Sequence, residues 1–176
     1  MIVYINTKSG DILPFDISIC SLATSLSKVC RYAGRTEEFY SVAEHSVILA
    51  KMVYNLTGCR SRALTALLHD GSESGLCDIP RDIKCHIEGY KYLEDQLTDK
   101  INVYYNVGEM DEFIHHLDYN IVYDEVHVLF EEPPEWVYVY ESIGAEVEVL
   151  THQEAKIAFL DMYEFLTEGY KTKLTT

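Results

Sequence analysis

The chain has 176 residues, 48% of them apolar, so it has the size of one domain and can bury a core without covalent staples. Its formal net charge is −15, with 14 Lys and Arg against 29 Asp and Glu. This balance disfavours binding to nucleic-acid polymers and to anionic membrane surfaces, because both interactions need cationic side chains. A small nucleotide held through a metal ion is compatible with the charge.

Cysteine usage and hydropathy indicate the compartment. The five cysteines are odd in number and contain no Cys-x-x-Cys spacing, so they predict neither a disulfide framework nor a thiolate zinc site. No stretch approaches the ~20 apolar residues of a membrane span, and the N-terminal residues lack the pattern of a secretory leader. We therefore expect a cytoplasmic protein that forms a single domain over residues 1–176.

The N-terminal part of the sequence predicts a small β-hairpin. Residues 2–5 and 12–15 are rich in β-branched and aromatic side chains, and they flank a turn signal at residues 8–11. An apolar stripe with helical spacing then runs from Ile19 to Val29, which predicts a first helix of about three turns.

Further helices are predicted downstream from apolar residues at helical spacing and from two Ser/Thr-x-x-Glu capping patterns. Their approximate ranges are 41–56, 61–70, 86–104, 111–130 and 151–166. The helix over 61–70 is apolar nearly all round, so we expect it at the centre of the core. Residues 136–140, which follow a Pro-Pro break, are expected to be strand-like or irregular. The chain is thus predicted to be mainly α-helical with a small N-terminal hairpin.

A His-Asp pair, His69-Asp70, stands where the most apolar predicted helix ends. An imidazole nitrogen and a carboxylate oxygen suit a divalent cation of borderline hardness, but a site needs three or four protein ligands. His45, in the first turn of the predicted second helix, is one candidate to complete the site, although it could also be an ordinary boundary histidine. Asp118 is another, because an acid beside an apolar helical stripe is costly unless it is paired or bound to metal.

In this order and spacing, the motifs resemble the HD-domain phosphohydrolases, in particular the small 5′-deoxynucleotidases and the phage-type deoxynucleotide triphosphohydrolases. The resemblance covers roughly residues 18–130, and its matching stretches are Ser27–Gly34, Phe39–Ser46, Ala66–Glu73, Gly75–Lys84, Leu117–Tyr119 and Glu125. It implies an HD-domain helical bundle that holds one divalent transition metal, which could be Co, Mn, Zn, Fe or Ni. The implied metal ligands are His45, His69, Asp70 and Asp118.

The same resemblance implies roles for further side chains around the metal. Glu73 and Asp78 would form the catalytic layer, with Glu73 as the acid or base for proton transfer. The chemistry of two cations adds a further expectation: the bidentate fork of Arg31 and the point charge of Lys84 suit contacts with phosphate, and Tyr32 would stack on the base. Plainer alternatives stay open for the charged residues: a solvated loop acid at Glu73, a helix cap at Asp78, and solvated cations at Arg31 and Lys84.

The expected function is hydrolysis of small deoxynucleotides, most simply of a 5′-deoxynucleoside monophosphate to deoxynucleoside and phosphate. One Arg and one Lys can balance a monophosphate dianion, whereas a triphosphate usually calls on several cations. Lys28, Arg35 and Arg81 could supply those cations, so release of triphosphate from a dNTP such as dATP is the first alternative. A non-catalytic nucleotide-binding HD protein and a purely helical interaction module are alternatives of other classes. We also expect a homo-oligomer.

One position departs from the family pattern. The residue after the fourth ligand is often Arg in the family and is Tyr119 here, so a subunit contact or a phosphate contact would differ.

Overall fold

A hairpin of two strands opens the fold. The computed structural model describes the backbone of residues 1–171 and the side chains of residues 1–168. Strands β1 (Ile2–Asn6) and β2 (Ile12–Asp16) pair antiparallel, with Val3 opposite Phe15. The predicted hairpin is therefore confirmed. The last residues of the predicted single domain, 172–176, lie outside the described residues.

Helices make up most of the rest of the described chain, which confirms the predicted mainly α class. The helices are α1 (Ile19–Leu26), α2 (Val42–Thr57), α3 (Arg60–Leu68), α4 (Glu73–Leu76), α5 (Arg81–Lys84), α6 (Tyr90–Tyr105), α7 (Glu112–Leu129) and α8 (His152–Lys171). Two short 3-10 turns cover Tyr32–Gly34 and Glu135–Val139. Within the described residues, no helix combines the length and the apolar character that a membrane crossing requires.

The starts of two long helices are set by capping side chains. The Ser41 hydroxyl accepts a hydrogen bond from the Glu44 backbone N–H at 3.2 Å, as the Ser-x-x-Glu pattern predicts for the start of α2. The Asp111 carboxylate accepts from the Ile114 backbone N–H at 3.0 Å at the start of α7. Gly58 ends α2 in a left-handed conformation with φ of 63°.

Helix α3 is deeply buried, because all six residues from Ala63 to Leu68 are buried. It packs against α2 and α8, where Leu49 and Phe159 are fully buried. The expectation that this segment lies at the centre of the core is confirmed. Burial of each large apolar side chain contributes roughly 1.5–3 kcal/mol. The packed core therefore fixes the position of the C-terminal end of α3, and His69 and Asp70 directly follow that end.

Two element boundaries and one element type differ from the sequence prediction. The helix expected over 86–104 begins at Tyr90, because Gly89 adopts a φ of 82° and ends the preceding short turn. Residues 136–140 mostly form a 3-10 turn rather than a strand, and the sheet within the described residues holds only β1 and β2. Helix α3 ends at Leu68, so His69 and Asp70 lie just beyond it, where Gly71 N–H bonds to Leu68 O at 2.9 Å.

The short helix α4 packs closely on the hairpin. A Cβ atom built on Gly75 would lie 2.3 Å from Cε1 of Phe15, which is closer than a real Cβ contact. The missing side chain therefore lets α4 approach β2. This contact sets the position of Glu73, the first residue of α4.

Candidate metal centre and active site

The four predicted metal ligands come from three places in the chain and meet in one small volume. His45 Nε2 lies 3.2 Å from Asp118 Oδ1 and 3.8 Å from Asp70 Oδ2. His69 Nε2 lies 3.0 Å from Asp70 Oδ2 and 3.5 Å from Asp118 Oδ1. One ligand atom each of His45, His69 and Asp70 lies within 4.8 Å of the other two, so this group could hold a metal ion.

The hydrogen bonds of the two imidazoles leave both Nε2 atoms facing the carboxylates. His69 Nδ1 donates to the Ala66 carbonyl oxygen at 2.7 Å, and His45 Nδ1 donates to Glu125 Oε1 at 2.6 Å. His69 Nε2 is buried and has no hydrogen-bond partner among the described side chains. Two imidazole nitrogens beside the carboxylates of Asp70 and Asp118 form a donor set that suits a divalent transition metal.

The pKa values of these groups reflect their mutual attraction. Burial lowers the pKa of His69, but the carboxylates of Asp70 and Asp118 outweigh burial and raise it well above its ordinary value. Burial opposes ionisation of Asp70, yet His69 and His45 hold the Asp70 pKa at about 2. Protons on the imidazoles and a divalent cation are therefore alternative ways to balance the two carboxylates.

A fully buried carboxylate, Glu125, holds His45 from behind. It accepts the His45 Nδ1–H bond, a bond from the Tyr40 hydroxyl at 2.9 Å and one from Arg31 Nη2 at 3.2 Å. The Tyr32 hydroxyl also donates to it. Burial raises the pKa of Glu125, but Arg31 and His45 outweigh burial and hold the pKa at about 2. An ionised Glu125 thus fixes the orientation of His45, as partners behind metal ligands commonly do.

No role for Glu125 was predicted from the sequence beyond its place in a matching stretch. The available signal was its position on α7, seven residues after Asp118, which places both side chains on one face of the helix. That spacing does not reveal that Glu125 is 0% exposed and in contact with Arg31.

Glu73 is a buried acid, not a solvated loop acid. Its side chain is 6% exposed, its Oε1 lies 3.5 Å from Lys84 Nζ, and its Oε2 is buried without a described partner. Burial first, and then the neighbouring carboxylates of Asp70 and Asp78, raise the pKa of Glu73 to about 9. The geometry therefore holds a protonated carboxyl group beside the candidate metal ligands at neutral pH.

A cavity of about 500 Å³ opens beside these groups, a size in the range of small-molecule sites. It brings the predicted catalytic and substrate-binding residues together with two of the predicted metal ligands. The predicted residues in its lining are Arg31, Tyr32, Asp70, Glu73, Asp78, Lys84 and Asp118.

The structure excludes two of the plainer alternatives for the charged residues around the cavity. Arg31 is only 13% exposed and lies 3.8 Å from Asp70 through Nη1, so it is not a solvated cation. Asp78 does not cap α5, because the residue at the cap position is Pro80 and no side-chain cap bond forms there. Lys84 donates to Glu94 at 2.7 Å and is 23% exposed, so it is already paired with acids.

Four further cavity residues had no assigned role or only a secondary one in the sequence prediction. Arg35 and Arg81, named there only as spare cations, both line the cavity. Trp136 and Tyr140 also line it, although they belong to a C-terminal segment in which no motif was recognisable.

Comparisons with known proteins find similar sequences, but they indicate no activity. No protein-family model matches the chain. The uncharacterized protein YfdR of Escherichia coli K12 is 37% identical over 92 residues, which cover 52% of this chain and 49% of that protein. An uncharacterized protein of Rhodobacter capsulatus is 38% identical over 99 residues, 53% of this chain and 50% of that protein. The match therefore spans about half the length of these curated relatives.

Proposed function

We propose that this chain is a metal-dependent phosphohydrolase of the HD-domain class that acts on small deoxynucleotides. The observation that carries the proposal is the convergence of two His and two Asp side chains with a buried, protonated carboxyl group beside one cavity. The order of these residues in the sequence and the mainly helical fold support the class.

The donor set fits one divalent transition metal, for which Co, Mn, Zn, Fe and Ni are the candidates. His45, His69, Asp70 and Asp118 would hold it. The buried Nε2 of His69, which makes no hydrogen bond although it lies 3.0 Å from Asp70 Oδ2, is the observation that favours a cation there, because a buried polar atom without a hydrogen bond costs about 1–3 kcal/mol. When bound, the metal would lower the pKa of a water and neutralise charge on a phosphoryl oxygen.

Glu73 is suited to act as the general acid. Its raised pKa keeps a proton on the carboxyl near neutral pH, and the side chain lines the cavity. It would give this proton to the oxygen that leaves phosphorus, so that the alcohol departs uncharged. Asp78 lines the same cavity, and its carboxylate would accept a hydrogen bond from the sugar or orient the leaving 5′ oxygen.

Cationic donors at the cavity support an anionic substrate. Arg31 Nε is buried and has no hydrogen-bond partner among the described side chains, so it offers a donor to a phosphate oxygen. Lys84 reaches the same cavity, where its ammonium lies between Glu73 and Glu94. Phosphate binding would draw on this charge.

A 5′-deoxynucleoside monophosphate is the substrate that these charges favour. Arg31 is already balanced by Glu125 and Lys84 by Glu94, so little free positive charge is left inside the cavity. Hydrolysis of a dNTP to deoxynucleoside and triphosphate is the second candidate function. The observation that favours it is the presence of Arg35 and Arg81 in the cavity lining, because they add the cations that a triphosphate requires.

Product analysis of the full chain tests both functions. The protein is stripped with a chelator, reloaded separately with each candidate metal and with Mg, and incubated with 5′-monophosphates and triphosphates of the four deoxynucleosides. We expect deoxynucleoside and inorganic phosphate from the monophosphates. Deoxynucleoside and triphosphate from dATP, with dAMP untouched, would transfer the assignment to the second function.

The control for contaminating phosphatases is Glu73→Gln protein purified and loaded in the same way. Absence of hydrolysis of every nucleotide with every metal would contradict an enzymatic function. Nucleotide binding in that case would favour a non-catalytic nucleotide-binding protein.

The cytoplasmic location and the homo-oligomeric state belong to the same proposal. All five cysteines are free thiols, which is typical of proteins in a reducing compartment. Light scattering on the eluting peak of a size-exclusion column measures the oligomeric state, and a monomer would contradict that part of the proposal.

A further inference from the structure

Two aromatic side chains of the C-terminal segment line the cavity that holds the candidate site. Trp136 lies in the 3-10 turn Glu135–Val139, and Tyr140 follows it directly. Their rings meet edge to face, with centroids 6.3 Å apart and an interplanar angle of 87°. Trp136 is 46% exposed, so a large part of the indole is open to a ligand.

This aromatic pair is held in place by α7. The Asn120 side-chain oxygen accepts from the Glu141 backbone N–H at 3.0 Å. The Asp124 carboxylate accepts from the backbone N–H groups of Ile143 and Ala145 at 3.1 and 2.8 Å. Val137, which lies between Trp136 and Tyr140 in the sequence, is fully buried. The helix that carries Asp118 therefore also fixes the aromatic pair, and a preformed surface loses little entropy when a ligand stacks on it.

The aromatic surface continues beyond the pair. Tyr119 packs on Tyr140 with centroids 4.6 Å apart, and the Arg81 guanidinium lies 5.8 Å from the Tyr119 ring centroid. This is the position where the family pattern often has Arg. The guanidinium of Arg81 comes to it from α5 instead, and Arg81 lines the cavity together with Trp136 and Tyr140, so a cation lies near the aromatic pair.

Tyr32, which the resemblance assigns to the base, is engaged elsewhere. Its hydroxyl donates to the buried Glu125, and its ring meets Phe130 edge to face at 5.6 Å. In the described part of the chain, the indole of Trp136 makes no comparable contact with the buried groups around Glu125. Among the aromatic residues that line the cavity, it therefore offers the larger open ring face.

We infer that Trp136 and Tyr140 form the surface that recognises the planar base of the nucleotide. This inference rests on the proposed function, because it assigns the base of that substrate to one wall of the same cavity. Stacking on an aromatic side chain tolerates every base, since each has a flat π face. We therefore expect the wall to strengthen binding of all four bases and to favour purines, which offer the larger stacking area.

The intrinsic fluorescence of Trp136 tests the inference directly, because it is the single Trp of the chain. Deoxyadenosine carries a base and no phosphate, and deoxyribose 5-phosphate carries a phosphate and no base. We expect deoxyadenosine to quench the indole emission of metal-loaded protein in a saturable way, and deoxyribose 5-phosphate to leave it unchanged. Free N-acetyl-tryptophanamide, titrated in parallel, corrects for light absorbed by the base.

Substitution provides the second measurement. Trp136→Leu should weaken deoxynucleoside binding, measured by calorimetry, by roughly 5- to 150-fold, the range for loss of one base stack. In hydrolysis it should raise KM for nucleotides far more than it lowers kcat. Tyr138→Leu is the matched control, because Tyr138 lies on the same turn, is 65% exposed and is not among the residues that line the cavity.

The outcomes separate this inference from the proposed function. Hydrolysis of nucleotides without quenching by deoxyadenosine, and with unchanged KM in Trp136→Leu, would overturn the aromatic wall and leave the phosphohydrolase standing. Quenching by deoxyadenosine in a protein that hydrolyses no nucleotide would keep the wall and overturn the enzymatic function. Equal quenching by deoxyribose 5-phosphate would also overturn the wall.

Discussion

The two ring nitrogens of His45 face environments of opposite character. On the Nδ1 side, Glu125 is fully buried and accepts bonds from His45, Tyr40 and Arg31, so its carboxylate is fully used. On the Nε2 side, His45 faces two carboxylates and a cavity, and the neighbouring His69 Nε2 makes no hydrogen bond. The inner side is a completed hydrogen-bond network, and the outer side is an incomplete one. The difference indicates which side is built for a ligand.

The buried polar atoms that lack a hydrogen bond identify the ligand-binding side better than burial alone does. Within the described side chains, five buried polar atoms lack a hydrogen-bond partner, and three of them belong to predicted site residues: Arg31 Nε, His69 Nε2 and Glu73 Oε2. Each such atom costs about 1–3 kcal/mol unless something outside the fold satisfies it. An anionic substrate and a cation would satisfy these atoms, and neither of those would be needed at Glu125.

Removal of an outer ligand should have the largest effect. We expect His69→Ala and Asp118→Ala each to lose stoichiometric metal and all hydrolysis, because each variant removes one of the four proposed ligands and the three that remain hold a divalent cation less tightly. Metal analysis after dialysis of reloaded protein measures this. His127→Ala, an exposed histidine on the same helix as Asp118, should keep its metal. Unchanged metal content in both ligand variants would refute the assignment.

Glu73→Gln should separate chemistry from metal binding. The amide keeps the size of the side chain and loses its proton, so we expect a turnover loss of about 10²- to 10⁴-fold. Metal content should stay at the wild-type level, since Glu73 is not a proposed ligand. Turnover within a few-fold of wild type, measured at saturating nucleotide, would reduce Glu73 to a structural acid.

Glu125→Gln, a change on the Nδ1 side of His45, should weaken metal binding on the Nε2 side. The amide cannot hold the charge that Arg31 and His45 balance, so His45 is less firmly oriented and we expect metal affinity to fall about 10- to 100-fold. A competition titration against a metal chelator gives the affinity, and circular dichroism checks the fold. Glu112→Gln, an exposed acid on α7, is the matched control. A folded variant with wild-type metal affinity would show that the inner network only stabilises the core.

Metal affinity should rise with pH on the outer side. The pKa of His69 lies well above its ordinary value, because Asp70 and Asp118 outweigh the effect of burial. At neutral pH the cation must therefore displace a proton, and the apparent affinity should increase up to about tenfold for each pH unit and each proton displaced. Calorimetry in buffers of different ionisation enthalpy counts the protons. A binding enthalpy that does not depend on the buffer would argue against this competition.

Glu125, on the inner side, should titrate only in acid. Its effect at neutral pH is therefore the smallest of those expected. The pKa of Glu125 is about 2, below its ordinary value of 4.5, so the folded state favours the ionised form. Its contribution to stability is fully present above pH 4.5 and is lost as pH falls towards 2. The difference in unfolding free energy between wild type and Glu125→Gln should therefore shrink over that interval. A constant difference would mean that the charge of Glu125 contributes nothing to stability.

Local patterns predicted much of this site, because the relevant signals are local or repeat along the chain. The capping box at Ser41 set the start of α2 and thereby the position of His45. The apolar run of α3 placed His69 and Asp70 at its end. An acid within an apolar stripe marked Asp118. Each signal needs only the residues of one helix, and the structure brings the four side chains together.

The rest of the site depends on contacts between distant segments. Nothing local to Lys84 shows that its ammonium pairs with Glu94 on another helix. The hydrogen bond from the Tyr32 hydroxyl to Glu125 joins residues that are 93 positions apart. Trp136 follows a Pro-Pro break, and its place in the cavity depends on how the segment after it is bound by α7. Such placements follow from tertiary packing, which periodicity does not encode.

Helix α7 joins three tasks that depend on one register. Asp118 lies beside His45 and His69 at the candidate metal site, Glu125 holds His45, and Asn120 and Asp124 bind the C-terminal segment. One residue inserted between Asp118 and Glu125 would turn everything after it by about 100° and shift it by about 1.5 Å. The three tasks could then no longer be carried out by the same helix at once. We therefore expect related sequences that keep the proposed activity to vary freely in the loop before α7, and to tolerate no insertion or deletion between these two acids.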